Sequence, residues 1–255
     1  MRHALRHAFI RTITGLAVAG AASIATDAAA APCLTVAMTA RPQDRAALLA
    51  DMTGPQRALL SRWHKAGLIA GSRLLFTRAA DTGVWDAMVI LTFADDAAQA
   101  RWRTQVAAGS GGIAPEALSH IAAVETTPCD GVREGGPGKS TTAAVLVVPY
   151  LALIPPSQYL NYLDGYTVPQ FRGWIEAGAL DSYEIITSRY PAGRAWNATI
   201  ILRYRDDAAL ARREEVTAAT RARLAENPAW KAFSDSKKAI RTEGRLAVAD
   251  EIATD

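Results

Sequence analysis

The sequence predicts an α+β protein built from two copies of one β-α-β-β-α-β unit, and three observations lead to this prediction. The segment that begins at Trp85 occurs again at Trp196, so the chain repeats itself at an offset of 111 residues. At this offset residues 63–106 align with residues 174–217 without a gap, and 14 of the 44 pairs are identical. Strand-like and helix-like patterns also follow one another in the same order in both halves.

The first copy reads as follows. Alternating, β-branched segments predict strands at residues 34–40, 72–78, from Trp85 onwards and at 120–126. Alanine- and leucine-rich segments predict a helix at 42–66 and another after Asp95, whose carboxylate can accept hydrogen bonds from the free amides of the first turn. The short turn at 80–83 predicts that the second and third strands form an antiparallel hairpin.

The second copy repeats this order. Strands are predicted at 144–153, 183–190, from Trp196 onwards and at 246–252. Helical patterns occupy 155–166 with its continuation to Gly178, and 207–225 with its continuation beyond Asn227-Pro228. Within the third strand, alternation places Trp196, Ala198, Ile200, Leu202 and Tyr204 on the helix side, and Asn197, Thr199, Ile201 and Arg203 on the opposite side.

The amino terminus has the pattern of a secretory signal peptide. Three arginines precede the apolar run at 16–25, and small residues follow, so we expect cleavage after Ala30. The apolar run is too short to span a bilayer, which predicts no stable membrane anchor after cleavage. The mature protein is therefore expected to be periplasmic or secreted.

Charge and cysteine content narrow the possible partners. Removal of residues 1–30 lowers the formal charge from +3 to +1, and no basic patch interleaved with aromatic residues remains, which argues against nucleic acid as a partner. Both cysteines, Cys33 and Cys129, lie in the mature chain, where export favours a disulfide over a reactive thiol or a metal site. We therefore predict no metal site.

The order of elements and the tryptophan-containing third strands resemble those of the dimeric α/β-barrel superfamily. This resemblance implies two tandem ferredoxin-like units that pack sheet to sheet as a pseudo-dimer. The expected divisions are the signal peptide at 1–30, the first unit at 31–129, a glycine-rich linker at 130–143 and the second unit at 144–255. The superfamily includes small cofactor-independent monooxygenases, stress-response proteins, haem enzymes and many proteins of unknown role, so the fold alone does not define a function.

The same topology predicts that the two cysteines of the chain form a disulfide. In a ferredoxin-like sheet of order 4-1-3-2, the first and fourth strands are antiparallel neighbours. Cys33 begins the first strand and Cys129 follows the fourth, so the two should lie within the distance of a disulfide.

Three functions are compatible with the sequence. The first is an exported, noncatalytic protein that binds a small, partly apolar ligand between the sheets, the second is a cofactor-independent monooxygenase-like enzyme, and the third is a structural or partner-binding module with a filled barrel. No cofactor is predicted, and the sequence leaves the oligomeric state open. The candidate ligand-binding residues are the polar groups Arg73, Asp86, Tyr183, Glu184 and Asn197 and the tyrosines Tyr159, Tyr162 and Tyr166.

Several of these residues have a structural interpretation as well. The tyrosines share one side of a helix and could equally pack on their own sheet, which is the more common role of such a stripe. The tryptophans at 85 and 196 are expected to be core residues, with ligand stacking as the alternative. His64 and His120 could act as an acid, a base or a haem ligand, but each is the only histidine of its segment.

Overall fold

The computed structural model describes residues 30–106, 111–141 and 143–254, so nearly all of the expected signal peptide lies outside the described residues. Nine strands occur in the described ranges. They are β1 (Ala31–Ala40), β2 (Gly71–Thr77), β3 (Ala87–Thr92), β4 (Ile121–Gly135), β5 (Ala144–Ala152), β6 (Leu180–Ser188), β7 (Ala198–Tyr204), β8 (Arg241–Glu243) and β9 (Ala247–Ile252).

Eight of these strands close into an antiparallel barrel. In the first half the neighbours follow the order β4-β1-β3-β2, and in the second half the order is β9-β5-β7-β6. Two further antiparallel pairings, β4 with β6 and β2 with β9, join the halves at both edges. The two sheets thus do more than face each other, since they share hydrogen bonds along both seams and leave no long open edge.

The helices lie outside the barrel. They are α1 (Arg45–Asp51), α2 (Arg57–Lys65), α3 (Asp96–Val106), α4 (Pro156–Tyr162), α5 (Val168–Glu176), α6 (Asp207–Ala211), α7 (Arg213–Leu224) and α8 (Pro228–Ile240). A π-helical turn joins α1 to α2 at Met52–Gln56, and another joins α4 to α5 at Leu163–Thr167. Short 3-10 turns at Pro42–Asp44 and Pro115–His120 complete the helical elements.

Strand alternation separates three apolar layers. One layer lies between the first-half sheet and its helices, and a second lies between the second-half sheet and its helices. The third fills the middle of the barrel with Leu75, Met88, Ile90, Val145, Val147, Ile201, Ala247 and Ala249. The predicted division of β7 is confirmed from Ala198 onwards, because Ala198, Ile200, Leu202 and Tyr204 pack under the helices while Ile201 faces the barrel interior. It is wrong for Trp196, which precedes the strand and is not part of the helix-side layer.

Strand β4 is longer than its sequence pattern predicts. Residues 130–135, which composition assigns to the linker, continue β4 and pair with β6 as far as Gly135 opposite Tyr183. A Cβ atom at Gly135 would lie 2.7 Å from the Tyr183 ring. Glycine at this position therefore leaves room for the Tyr183 side chain of the neighbouring strand, although glycine-rich composition alone is typical of a loop.

Candidate functional site

One end of the barrel opens into a cavity of about 810 Å³. Because β3 and β7 run in the same direction, their first residues meet at this mouth, together with the β2–β3 and β6–β7 turns and the loop before β9. Met88 and Val147 form part of the apolar floor, and Thr35 and Thr199 add hydroxyl-bearing side chains on opposite walls. The volume lies within the range of pockets that hold small molecules.

Trp85 and Trp196 line this cavity at equivalent positions of the two halves. Both are half-buried, and neither belongs to the helix–sheet layers. The expectation that they are core residues on the helix side is therefore wrong, although Trp85 packs against the apolar middle layer of the barrel. Strands β3 and β7 begin only at Ala87 and Ala198, so the strand alternation used for that prediction does not extend to the tryptophans.

Asp86 also borders the cavity, but its carboxylate is engaged by the protein itself. One oxygen accepts a hydrogen bond from the Ala40 backbone N–H at 2.8 Å, and the other accepts from Arg45 Nε at 2.8 Å. Arg45 further donates to the Thr77 carbonyl and lies over the Phe76 ring. Asp86 thus ties the end of β1 and the start of α1 to the β3 strand.

Asn197 performs the same task in the second half. Its side-chain oxygen accepts from Ala152 N at 2.7 Å, and its amide nitrogen donates to Ala152 O at 3.1 Å. Asn197 is not one of the cavity-lining residues. Two of the candidate ligand-binding residues are therefore equivalent supports for the mouth of the barrel.

Paired charges surround the mouth. Asp81 lies 3.4 Å from Arg245, and Glu125 lies 3.3 Å from Arg194. With the Arg45–Asp86 pair, each acidic side chain that lines the cavity has an arginine partner. The cavity is consequently neutral in sum and better suited to an uncharged ligand than to an ion.

The opposite end of the barrel contains a network of buried charges. Arg73 lies 3.3 Å from Glu184 and 3.6 Å from Glu251, and Arg203 lies 2.7 Å from Glu251 and 3.2 Å from Asp181. Burial raises the pKa of Glu184, an effect that Arg73 opposes and that Glu134 and Glu251 reinforce. Arg73 and Glu184, both candidate ligand-binding residues, therefore meet each other, on the far side of the apolar middle layer from the cavity.

The candidate tyrosines lie outside the barrel. Tyr159, Tyr162 and Tyr166 are at most 2% exposed and stack on one another between the second-half sheet and its helices, and the Tyr183 ring packs 5.0 Å from Phe171 in the same layer. None of the four lines the cavity. The structure thus places one of the eight candidate residues, Asp86, at the cavity wall.

The predicted disulfide between Cys33 and Cys129 is present. The two residues stand directly opposite each other on β1 and β4, and their Cα atoms are 4.8 Å apart. Both side chains are fully buried with Ile186 inside the barrel. The bond therefore connects two barrel strands from within.

Neither histidine is placed to hold a haem in the cavity. His64 is exposed near the end of α2, and His120 Nδ1 lies 2.6 Å from Asp51 Oδ2. Across the described ranges, no group of three His, Cys, Asp or Glu side chains could hold a metal ion. The positions of His64 and His120 thus do not match those expected of a haem ligand in a barrel cavity. A search of the same ranges for helices long and apolar enough to cross a membrane found none.

No protein-family model and no curated protein matches the chain. Solved structures do. An anthrone oxidase-like protein has a TM-score of 0.53 and 10% identity, with 89% of this chain and 92% of that chain covered. A protein of Lactobacillus acidophilus NCFM, provisionally named a monooxygenase, has a TM-score of 0.51 and 11% identity over 88% of this chain and 95% of that one.

A third structure, from Fusobacterium nucleatum subsp. nucleatum and also provisionally named a monooxygenase, has a TM-score of 0.52 and 11% identity. It covers 89% of this chain and 94% of its own. The chain has the dimeric α/β-barrel fold. At such low identity this likeness concerns the arrangement of elements and does not transfer an activity.

Proposed function

We propose that this protein binds a small, uncharged, partly apolar molecule in the mouth of its barrel. The observation that carries the proposal is the cavity of about 810 Å³ between Trp85 and Trp196. Aromatic walls provide a large contact area, and the threonine side chains provide groups that can orient a polar substituent. A barrel filled from end to end, as in the structural-module hypothesis, would leave no such space.

The test uses the neutral fluorescent probe N-phenyl-1-naphthylamine. We expect saturable binding by the parent protein and loss of binding in Ala37→Phe, because this side chain lines the cavity and a phenyl group would occupy its volume. Trp196→Ala should weaken binding with little loss of stability. The matched control is Trp102→Ala, which alters a tryptophan of the first helix–sheet layer and should lower stability while binding persists. Equal probe binding by Ala37→Phe and the parent would exclude the cavity as the site.

Native mass spectrometry of protein isolated from its own host addresses the natural ligand. We expect a bound small molecule whose signal disappears in Ala37→Phe. An empty parent protein that also fails to bind the fluorescent probe would favour the structural-module hypothesis.

The second candidate is a cofactor-independent monooxygenase-like enzyme, which takes its support from the names of the structures with a similar fold. The site gives less support, because both oxygens of the Asp86 carboxylate already accept hydrogen bonds, from Arg45 and from the β1 backbone. Oxygen uptake with the ligand identified by mass spectrometry distinguishes the two. Uptake that Ala37→Phe abolishes would favour the enzyme.

We further propose that the chain is a tandem fusion of ferredoxin-like units and that it is exported. The divisions are those given above, except that residues 130–135 belong to the first unit as part of β4. The internal repeat and the equivalent roles of Asp86 and Asn197 support the fusion. The Cys33–Cys129 disulfide is compatible with an oxidising compartment outside the cytoplasm. Intact mass measurement of the protein from its native host should give a chain that begins at Ala31.

A further inference from the structure

A second feature, outside the barrel, is not explained by binding in the cavity. The guanidinium of Arg241 lies among tyrosine rings in the second helix–sheet layer. Its central carbon is 3.9 Å from the centre of the Tyr150 ring, 5.4 Å from that of Tyr162 and 6.0 Å from that of Tyr166. Tyr159 stacks on Tyr162 and also interacts with Arg241.

Polar atoms of this cluster are buried without hydrogen-bond partners. They are the hydroxyl oxygens of Tyr162 and Tyr166, whereas the Tyr159 hydroxyl lies within hydrogen-bonding reach of the Arg241 guanidinium. The three tyrosines are themselves at most 2% exposed. Buried polar groups are normally hydrogen-bonded, and each one left without a partner costs about 1–3 kcal/mol. Two such hydroxyls in one cluster with a cation indicate a missing partner.

No neutralising carboxylate is paired with this guanidinium in the part of the chain that the structure describes. The nearest acid along the strand, Glu243, is exposed and accepts a hydrogen bond from the Tyr150 hydroxyl at 3.0 Å. Burial raises the pKa of Tyr150, Tyr159 and Tyr162, so these groups remain neutral hydroxyls and do not become phenolates. Arginine itself does not lose its proton in proteins.

The chemistry of the available groups defines the missing partner. A guanidinium only donates hydrogen bonds, and a neutral tyrosine hydroxyl has one proton to donate. The partner must therefore accept several hydrogen bonds and carry negative charge, and it must be small because the tyrosine rings stack closely on one another. We propose that the Arg241–tyrosine cluster is a binding site for a small inorganic or carboxylate monoanion.

Anion-dependent stability tests this site. Thermal unfolding is measured at constant ionic strength while sodium gluconate, whose anion is too large, is exchanged for sodium chloride or sodium formate. We expect the melting temperature of the parent to rise saturably with chloride or formate, because an anion that binds the folded state stabilises it. Arg241→Met should abolish the response, and the control Arg212→Met, which removes an exposed arginine paired with Glu215, should keep it.

Tyr159→Phe keeps the test decisive if Arg241→Met does not fold. Loss of one hydrogen bond to an anion should raise the half-saturating anion concentration by about 10-fold. Saturation-transfer NMR with ¹³C-formate should show binding by the parent and weaker binding by Tyr159→Phe. A parent protein that responds neither in stability nor in NMR overturns the proposal, as does a response that is the same in Tyr159→Phe as in the parent.

Discussion

At the scale of single residues, polar side chains at the barrel mouth act mainly on the protein itself. Asp86 and Asn197, which are 111 residues apart, each accept a backbone N–H at the end of the first strand of their half. A buried backbone N–H without an acceptor is costly. Both copies therefore place a side-chain oxygen there, from a charged aspartate in the first copy and from a neutral asparagine in the second. The first copy uses the extra charge to hold Arg45.

This interpretation predicts the effects of substitutions at Asp86. We expect Asp86→Ala to lower the free energy of unfolding by about 1–3 kcal/mol, because the Ala40 amide and the Arg45 guanidinium both lose their acceptor. Asp86→Asn should cost less, since Asn197 already serves this purpose as an amide. Urea unfolding measures both variants. An Asp86→Ala protein that unfolds like the parent but no longer binds the naphthylamine probe would make Asp86 a ligand-binding group instead.

At the scale of elements, the disulfide joins β1 to β4, and β4 is the strand of the first half that pairs with β6 of the second half. It closes a loop of 96 residues between β1 and β4. β4 then pairs with β6 of the second half from Cys129 onwards. The bond therefore fixes the strand from which the second half is attached.

Loss of this bond should destabilise the whole barrel. In the chain-entropy account, closing a loop of this length stabilises the folded state by about 4–5 kcal/mol. Removal of a native disulfide usually lowers the free energy of unfolding by about 2–5 kcal/mol. We expect the Cys33→Ala/Cys129→Ala protein to unfold at lower guanidinium concentration than the oxidised parent. Reduced parent protein is the control and should resemble the double variant. Coincident unfolding curves for the oxidised parent and the double variant would show that the bond contributes nothing.

Local patterns were sufficient for most elements but not for the site. Strand order, the hairpins and the cysteine pair follow from periodicity and topology, since each is set by neighbouring residues or by a single sheet rule. The role of Trp196 depends on where β7 begins, and that depends on tertiary contacts at the mouth. Gly135 lies in a glycine-rich segment that is typical of a loop, although here it leaves room for the Tyr183 side chain of the neighbouring strand.

The polar candidate ligand-binding residues also show that local patterns do not locate the site. Glu184 and Arg73 are both on inward-facing strand positions, as alternation predicts, but alternation does not specify which end of the barrel they reach. Their partners come from strands far away in the sequence. The spacing of the tyrosines predicts that they share one helix side, and all three lie in the same layer, but no local pattern indicates that Arg241 lies against them.

At the scale of the whole molecule, the barrel has two different ends. The mouth holds the cavity and paired surface charges, while the other end is occupied by Arg73, Glu184, Arg203, Glu251 and Asp181. The apolar middle layer separates them. The cavity opens at one end of the barrel only, and the proposed ligand would use that end, while the ion pairs of the other end lie behind the apolar middle layer.

The charged end gives a prediction about pH. Burial raises the pKa of Glu184 above its ordinary value of 4.5, so the folded protein holds this proton more tightly than the unfolded chain does. The stability that the Glu184 proton contributes is therefore fully present below pH 4.5 and is lost as the pH rises through the raised pKa. Once it is ionised, the buried carboxylate is a destabilising group that Arg73 offsets only in part.

Glu184→Gln removes this titration while it keeps a side chain of similar size. We expect the free energy of unfolding of Glu184→Gln, relative to that of the parent, to increase as the pH is raised from about 4 to about 8, because only the parent loses the proton. Urea unfolding at a series of pH values measures the difference. The control Glu125→Gln removes an exposed carboxylate at the mouth and should follow the parent's pH profile. A constant difference between parent and Glu184→Gln across this range would mean that Glu184 titrates alike in the folded and unfolded states, and that the charged end tolerates its full ionisation.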